Sequence, residues 1–250
     1  MLMKSLLLAV FLQLHAATLM AEDGFKRALV SLTFDDGWVS AYTTVLPLLE
    51  WYEMPGTFYI ISNVIGQKGY LSKEQLLALH EKGNEIGAHS IDHSNLANLL
   101  PSLVEAQLSK PKRLLTNLIH VPVTDFAAPY GSVSPLVLQL LPKYYDSNRS
   151  SFIGYNTKIG FNRYGLLVQH INNKTSEEEI KAQLKFAAAH RYWLIYMYHQ
   201  VDDSGLQWST TPEAFEKQLQ AIQESKIPVV TIREGLNEVM QQLIEEIHGQ

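Results

Sequence analysis

Short apolar runs that stop abruptly at polar residues recur along this chain, and the segments between them repeat their apolar positions at helical spacing. Ala28 to Phe34 is apolar and β-branched and closes at Asp35-Asp36-Gly37, the signature of a strand entering a turn. Helical periodicity around Val39 to Tyr52 leads through Pro55-Gly56 to a second strand, Thr57 to Ile61. Ser72-Lys-Glu-Gln75 has capping-box spacing and predicts a helix ending near Gly83, after which Glu85 to Ala88 delivers the chain to His89. Further along, Ser134-Pro135 and Thr211-Pro212 each open a helix, and Thr175 with Glu178 repeats the capping-box spacing. Tyr192 to Tyr198 is too apolar for a surface loop and predicts a buried strand ending at His199. Ile227 to Ile232 predicts a late strand, and Glu234 to His248 a terminal helix. This succession predicts an α/β fold, a parallel barrel wrapped by helices, with chemistry at the C-terminal ends of the strands.

Composition narrows the partners. The 250 residues contain no repeat or Gly/Ser/Pro-rich linker, which predicts one domain. A net charge of -5 with 18% charged residues gives no basic field for nucleic acid. Lys4 followed by the apolar stretch Ser5 to Leu14, with Ala21 as a cleavage point, predicts a signal peptide over residues 1–21 and a mature domain over 22–250. That stretch is short for a membrane span, which needs about 20 apolar residues. The chain has no cysteine, so any metal must rely on His and carboxylate ligands, and an exported protein without disulfides suits a bacterial periplasm.

Three polar groups fall at predicted strand ends: Asp35 with Asp36, the stretch from His89 to His93, and His199. Adjacent carboxylates repel, and a cation relieves them. His89 and His93, four residues apart, fall on one face of a helical turn, where both imidazoles can meet one ion. With a strand-end aspartate they make a two-His, one-carboxylate set with open positions, which suits zinc or a related divalent ion. Cobalt, nickel, manganese and iron fit the same donors.

Thr33-Phe-Asp-Asp-Gly37, Asn84-Glu-Ile-Gly-Ala-His-Ser-Ile-Asp-His93, Ala128-Pro-Tyr-Gly131 and Leu194-Ile-Tyr-Met-Tyr-His199 occur in an order that resembles the motifs of the NodB-homology polysaccharide deacetylases, carbohydrate esterase family 4. The resemblance runs from about Leu29 to Ile232. It implies a distorted (β/α) barrel and metal-dependent removal of acetyl groups from a carbohydrate polymer or oligomer. It further implies that Asp36, His89 and His93 bind the metal, that Asp35 is the general base, that the backbone N–H of Tyr130 helps stabilise the oxyanion, and that His199 is the acid. Ser90 and Asp92 are left with turn or supporting roles.

One departure stands out. Many members carry an arginine two residues before the proline of the third motif, where it holds the base; here that position is Ala127. Arg149, which follows the next predicted helix and could supply the charge from an adjacent strand end, is the candidate replacement, and Asp146 is a weaker candidate partner for His199. Trp208 is placed either on a sugar ring or over the barrel rim, and Trp38 under the following helix. His15, His80, His120, His170, His190 and His248 are assigned structural or solvent-facing places. The expected activity is N-deacetylation of an amino-sugar glycan such as peptidoglycan, poly-N-acetylglucosamine or a chitin-like chain. The alternatives are an O-acetyl esterase and a carbohydrate-binding pseudoenzyme, the latter motivated by Ala127.

Overall fold

Seven parallel strands close into a barrel in chain order, β7 pairing back onto β1. The computed structural model describes residues 23–248, so the expected signal segment lies outside the described residues. The strands are β1 (Leu29–Phe34), β2 (Thr57–Ile60), β3 (Glu85–Ala88), β4 (Asp125–Ala127), β5 (Ser147–Ile153), β6 (Leu166–His170) and β7 (Trp193–Tyr198). Around them run α1 (Leu46–Trp51), α2 (Lys73–Glu81), α3 (Pro101–Ile119), α4 (Pro135–Tyr144), α5 (Glu177–His190), α6 (Pro212–Ser225) and α7 (Ile232–His248). Two-residue strands β8 (Gln200–Val201) and β9 (Ser209–Thr210) pair beside the end of β7. Among the described residues no helix is long and apolar enough to cross a membrane.

Period-two alternation sorts each strand between the barrel interior and the helices. In β7, Trp193, Ile195 and Met197 pack in the interior cluster, while Leu194, Tyr196 and Tyr198 join the cluster under the helices. Both outward tyrosines are buried and keep their hydroxyls satisfied, Tyr198 donating to Gln218 Oε1 at 2.9 Å and Tyr196 to the Ile180 carbonyl at 3.4 Å. In β1, Val30, Leu32 and Phe34 face the helices, and Ser31 faces inward to accept the Trp193 indole N–H at 2.9 Å. The same alternation carries Asp35 inward at the strand's end. Burial on both faces is why these strands read as continuous apolar runs.

The elements match the sequence pattern with three differences. Residues 227–231 form no strand: Val229 makes a single bridge with Val30 before α7 begins at Ile232. The reason is space, since β7 lines the whole of β1 on one side and β2, whose first pair with β1 is Thr57 opposite Thr33, leaves only the lower end of the other side open. The capping box of α2 is complete, but that of α5 is displaced by one residue: Ser176 caps Glu179 N at 3.1 Å, and Thr175 Oγ1 accepts from Asn172 N instead. The 19-residue α3, with Pro111 inside it, and strands β4, β5 and β6 complete the barrel beyond what the pattern predicts.

Candidate active site

Seven of the seven sequence-nominated residues line one cavity of about 380 Å³: Asp35, Asp36, His89, His93, Tyr130, Arg149 and His199. Six of them follow the C-terminal ends of barrel strands, where the fold exposes side chains from several strands to one space, and Arg149 reaches it from the third residue of β5.

The two aspartates separate because the backbone turns between them. Asp35 N still donates to the Tyr198 carbonyl, at 2.9 Å, as the last rung of the β1 ladder. Asp36 then enters the left-handed region, at φ 75°, followed by Gly37 at φ 82°. A left-handed non-glycine residue is strained and persists only when its surroundings fix it. Trp38 does so: its indole N–H donates to Asp36 Oδ2 at 3.0 Å, and its ring stacks on Tyr70 with centroids 4.5 Å apart. Trp38 therefore orients a carboxylate, rather than merely seating the next helix. Asp36 Oδ1 is left buried with no hydrogen-bond partner.

The two histidines aim at that oxygen. His89 Nε2 lies 3.6 Å and His93 Nε2 3.5 Å from Asp36 Oδ1. The Ala127 carbonyl, 2.7 Å from His89 Nδ1, can only accept, so Nδ1 carries the hydrogen and Nε2 the lone pair. Burial lowers the pKa of His89, outweighing the nearby aspartates, and holds the ring neutral, the form that ligates. The segment from His89 to His93 is not a helical turn, contrary to the spacing argument. Ser90 and His93 both have left-handed φ, and the loop closes through His93 N to Ser90 Oγ at 3.0 Å. Gln107 of α3 pins it, accepting from Ile91 N and donating to Asp92 Oδ1.

An unpartnered buried carboxylate oxygen facing the His89 lone pair is repulsive as it stands, and a cation answers it. The three ligand atoms lie within 4.8 Å of one another, the one such group among the described residues. The donor set fits a divalent metal.

Arg149 lies on the other side of Asp35. Its guanidinium, 1% exposed, pairs with both carboxylate oxygens, Nη2 to Oδ1 at 2.5 Å and also to Oδ2. Nη1 donates to the Ser150 carbonyl and touches Met197 Sδ, and the group lies over the Tyr59 ring. Ala127 and Arg149 are direct cross-strand partners in β4 and β5, so a guanidinium from Arg149 starts at the same level of the barrel as one from position 127 would. Burial drives the Asp35 carboxyl pKa upward, but Arg149, His89 and His199 together outweigh it and hold the group below its ordinary value.

Tyr130, at φ 59°, and Gly131, at φ 63°, turn the third motif over the cavity, with the Tyr130 ring packed against His93. Gly131 is required there, since a Cβ would meet Ser151 Oγ at 2.1 Å. His199 enters from the end of β7, its buried Nδ1 without a hydrogen-bond partner among the described residues. Asp146 does not orient it. That residue precedes β5 at the opposite end of the barrel and pairs with Arg233 at 3.0 Å. Trp208 lines the cavity, its ring 5.5 Å from that of His199 and 5.6 Å from that of His170. His170 is a correction, because it too lines the cavity, at the end of β6. The signal was present: Leu166 to His170 is an apolar run closing in histidine, as are the runs that end at His89 and His199.

Residues 22–144 match the family model described as polysaccharide deacetylase. A putative polysaccharide deacetylase of Bacillus subtilis, YxkH, is 32% identical over 114 residues, 46% of this chain and 41% of that protein. The peptidoglycan-N-acetylglucosamine deacetylase PgdA of Listeria monocytogenes is 31% identical over 111 residues, 44% of this chain and 23% of that protein. The chain thus spans well under half the length of these two curated relatives. Among solved structures, the Xyl-CE4 domain of a multidomain xylanase from the hindgut metagenome of Trinervitermes trinervoides superposes with a TM-score of 0.62 at 21% identity, covering 84% of this chain and 89% of that one. A family 4 acetyl xylan esterase from Clostridium thermocellum, in complex with a cobalt ion, gives 0.61 at 21% identity, covering 82% and 89%. The family match ends before Arg149, His170 and His199, while the likeness in fold covers more than four-fifths of the chain. Over residues 22–144 the chain carries the pattern of the polysaccharide deacetylase family, the NodB-homology group known as carbohydrate esterase family 4.

Proposed function

We propose that residues 22–250 form a metal-dependent hydrolase domain that removes N-acetyl groups from an amino-sugar polysaccharide. The observation that carries this reading is Asp36 Oδ1, buried, unpartnered and faced by two imidazole nitrogens. Asp36, His89 and His93 would hold the ion, zinc being the first choice for this donor set and cobalt or nickel alternatives. A divalent ion bound there supplies Lewis-acid polarisation of the acetyl carbonyl and of water.

The remaining steps belong to the protein. Asp35, ionised at neutral pH because Arg149 stabilises its charge, accepts a proton from the attacking water as its oxygen bonds to the carbonyl carbon. Arg149 fixes the carboxylate's orientation through contacts to both oxygens. The Tyr130 backbone N–H serves the oxyanion from a loop that Gly131 and Ser151 hold in shape. His199 donates a proton to the amine nitrogen as the C–N bond breaks, releasing acetate and leaving a free amino sugar. The relatives named as peptidoglycan-N-acetylglucosamine deacetylases favour an amide substrate of this kind. Export belongs to the same reading, through the apolar segment that follows Lys4.

The test is acetate release from an N-acetylglucosamine oligomer and from an O-acetylated xylan fragment, using zinc- or cobalt-loaded protein, chelated protein and loaded Asp35→Asn. Metal-dependent release from the amino sugar that Asp35→Asn abolishes is the expected result. Release from xylan alone would transfer the assignment to an esterase. Binding of metal and glycan without release from either would make the chain a carbohydrate-binding protein.

A further inference from the structure

His170 closes β6 on the cavity wall beside Trp208, and its two ring nitrogens stand in different situations. Nε2 lies 2.7 Å from the backbone carbonyl of Ser151. A carbonyl oxygen has no hydrogen to give, so Nε2 must carry it, and in the neutral ring Nδ1 then holds a lone pair. Nδ1 has no hydrogen-bond partner among the described residues. Nor is it one of the polar atoms sealed from solvent, in contrast to Nδ1 of His199. An acceptor of fixed direction thus remains open on a residue that lines the cavity.

The tautomer is set by an irregularity in the sheet. The β5–β6 register shifts between Arg149 and Ile153, so the ladder is interrupted at Ser150 to Phe152. The carbonyl of Ser151 takes its hydrogen bond from the His170 ring, a side chain of the neighbouring strand. Beside the interruption, Ser151 Oγ donates to the Tyr130 carbonyl at 3.0 Å. His170 is therefore held against the β-bulge that supports the third motif, and rotating its ring would leave the Ser151 carbonyl without that donor. Such restraint is what a directional binding group needs.

We propose that His170 is a substrate-binding residue whose Nδ1 accepts a hydrogen bond from a hydroxyl or amide N–H of the acetylated sugar in the cavity. This rests on the carbohydrate deacetylase reading. The residue acts on recognition, and the chemical step belongs to the groups around Asp35 and the three ligands. Because the ring's donor is committed to Ser151, the site at this position selects ligands that present a donor and discriminates against an acceptor alone.

Two measurements test it with an N-acetylglucosamine trimer as the probe. In zinc-loaded wild-type protein with 15N-labelled histidine, NMR is expected to show His170 protonated at Nε2 and to shift its Nδ1 resonance when the trimer is added. An Nδ1–H tautomer, or no shift at trimer saturation, overturns the proposal without requiring any variant to fold. Kinetically, His170→Phe keeps a ring but no acceptor and is expected to raise the KM for the trimer about tenfold, a loss typical of one hydrogen bond, while kcat moves less than twofold. His170→Gln, which can donate to Ser151 and still offer an oxygen, is expected to recover most of that loss. An unchanged KM in His170→Phe, or a fall in kcat alone, refutes a binding role. If the wild type releases no acetate, the deacetylase reading fails separately. Trimer binding by calorimetry then decides: weaker binding in His170→Phe upholds the role of His170, and equal or absent binding removes it.

Discussion

Replacing Arg149 with alanine is expected to be among the most destabilising single changes in the barrel, for a reason the geometry makes quantitative. Its guanidinium and the Asp35 carboxylate are 1% and 4% exposed, and the two meet through both carboxylate oxygens. Removing the arginine leaves a carboxylate desolvated and without its strongest partner, which in buried pairs costs about 3–5 kcal/mol. The cost follows from what remains behind rather than from the strength of the pair itself. Replacing both members, as in Asp35→Asn with Arg149→Met, should therefore recover most of the loss, because shape is kept and no charge is stranded. Arg149→Lys keeps a charge but not the second nitrogen that donates to the Ser150 carbonyl, and should fall between wild type and alanine. Urea unfolding of the metal-free protein, at pH 7 and constant ionic strength, reads these differences directly. Asp35→Asn, Arg149→Met and the double variant form a cycle whose coupling term is expected to reach about 2–3 kcal/mol, the upper part of the range for contacting residues. A loss below about 1 kcal/mol in Arg149→Ala, or additive single effects, would refute the reasoning. Acetate release by Arg149→Ala at the wild-type rate would separate the pair from the reaction altogether.

Other perturbations address separate parts of the molecule. Trp38→Phe removes the donor that fixes Asp36 Oδ2 and should weaken zinc affinity about 10–100-fold; competition with a chromophoric chelator measures it, and unchanged affinity would deny Trp38 an orienting role. Gly131→Ala places a Cβ 2.1 Å from Ser151 Oγ at φ +63° and should cost at least about 2 kcal/mol, read by urea unfolding, with a smaller loss showing that the loop yields. At the other end of the barrel, burial and the charge of Asp125 push the carboxyl pKa of Glu85 well above its ordinary value of 4.5. The folded state then binds that proton more tightly than the unfolded chain, so Glu85 costs stability as pH rises from about 4.5 through its folded pKa. Glu85→Gln should melt higher than wild type at pH 8 and lose that advantage near pH 4.5; no gain at pH 8 would show that the hydrogen bonds from Thr57 and the Arg233 backbone already accommodate the charge.

The legible half of the site consists of residues whose neighbours along the chain announce them. Asp35 and Asp36 close an apolar run before a glycine, His89 closes another, and His199 a third, so strand and chemistry appear together in the sequence. The turn carrying His93 was harder, because left-handed φ at Ser90 and His93 and a pin from Gln107 of α3 leave no periodic trace, and the i, i+4 spacing imitates a helix. Strand β5, Ser147–Ile153, reads poorly because its inward positions are polar or charged and a bulge interrupts its pairing. His170 is hidden for a related reason: until β5 and β6 are paired, nothing places a histidine beside Ser151.

Ala127 illustrates the limit most clearly. Read along the chain, it is a lost arginine, and a lost arginine points to a failed base. Read across the sheet, it is the register partner of Arg149, and the two strands offer equivalent starting points for a side chain aimed at Asp35. A small residue at 127 also leaves room beside its own carbonyl, which is the acceptor for His89 Nδ1 and so fixes the nitrogen presented toward Asp36. Exchanging the two residues would test this directly. Arg149→Ala combined with Ala127→Arg should restore part of the stability lost in Arg149→Ala if position on the barrel is what matters. If the double variant is no more stable than Arg149→Ala, the bulge after Arg149, with its contacts to Ser150 and Met197, is what makes β5 the only strand able to carry the charge.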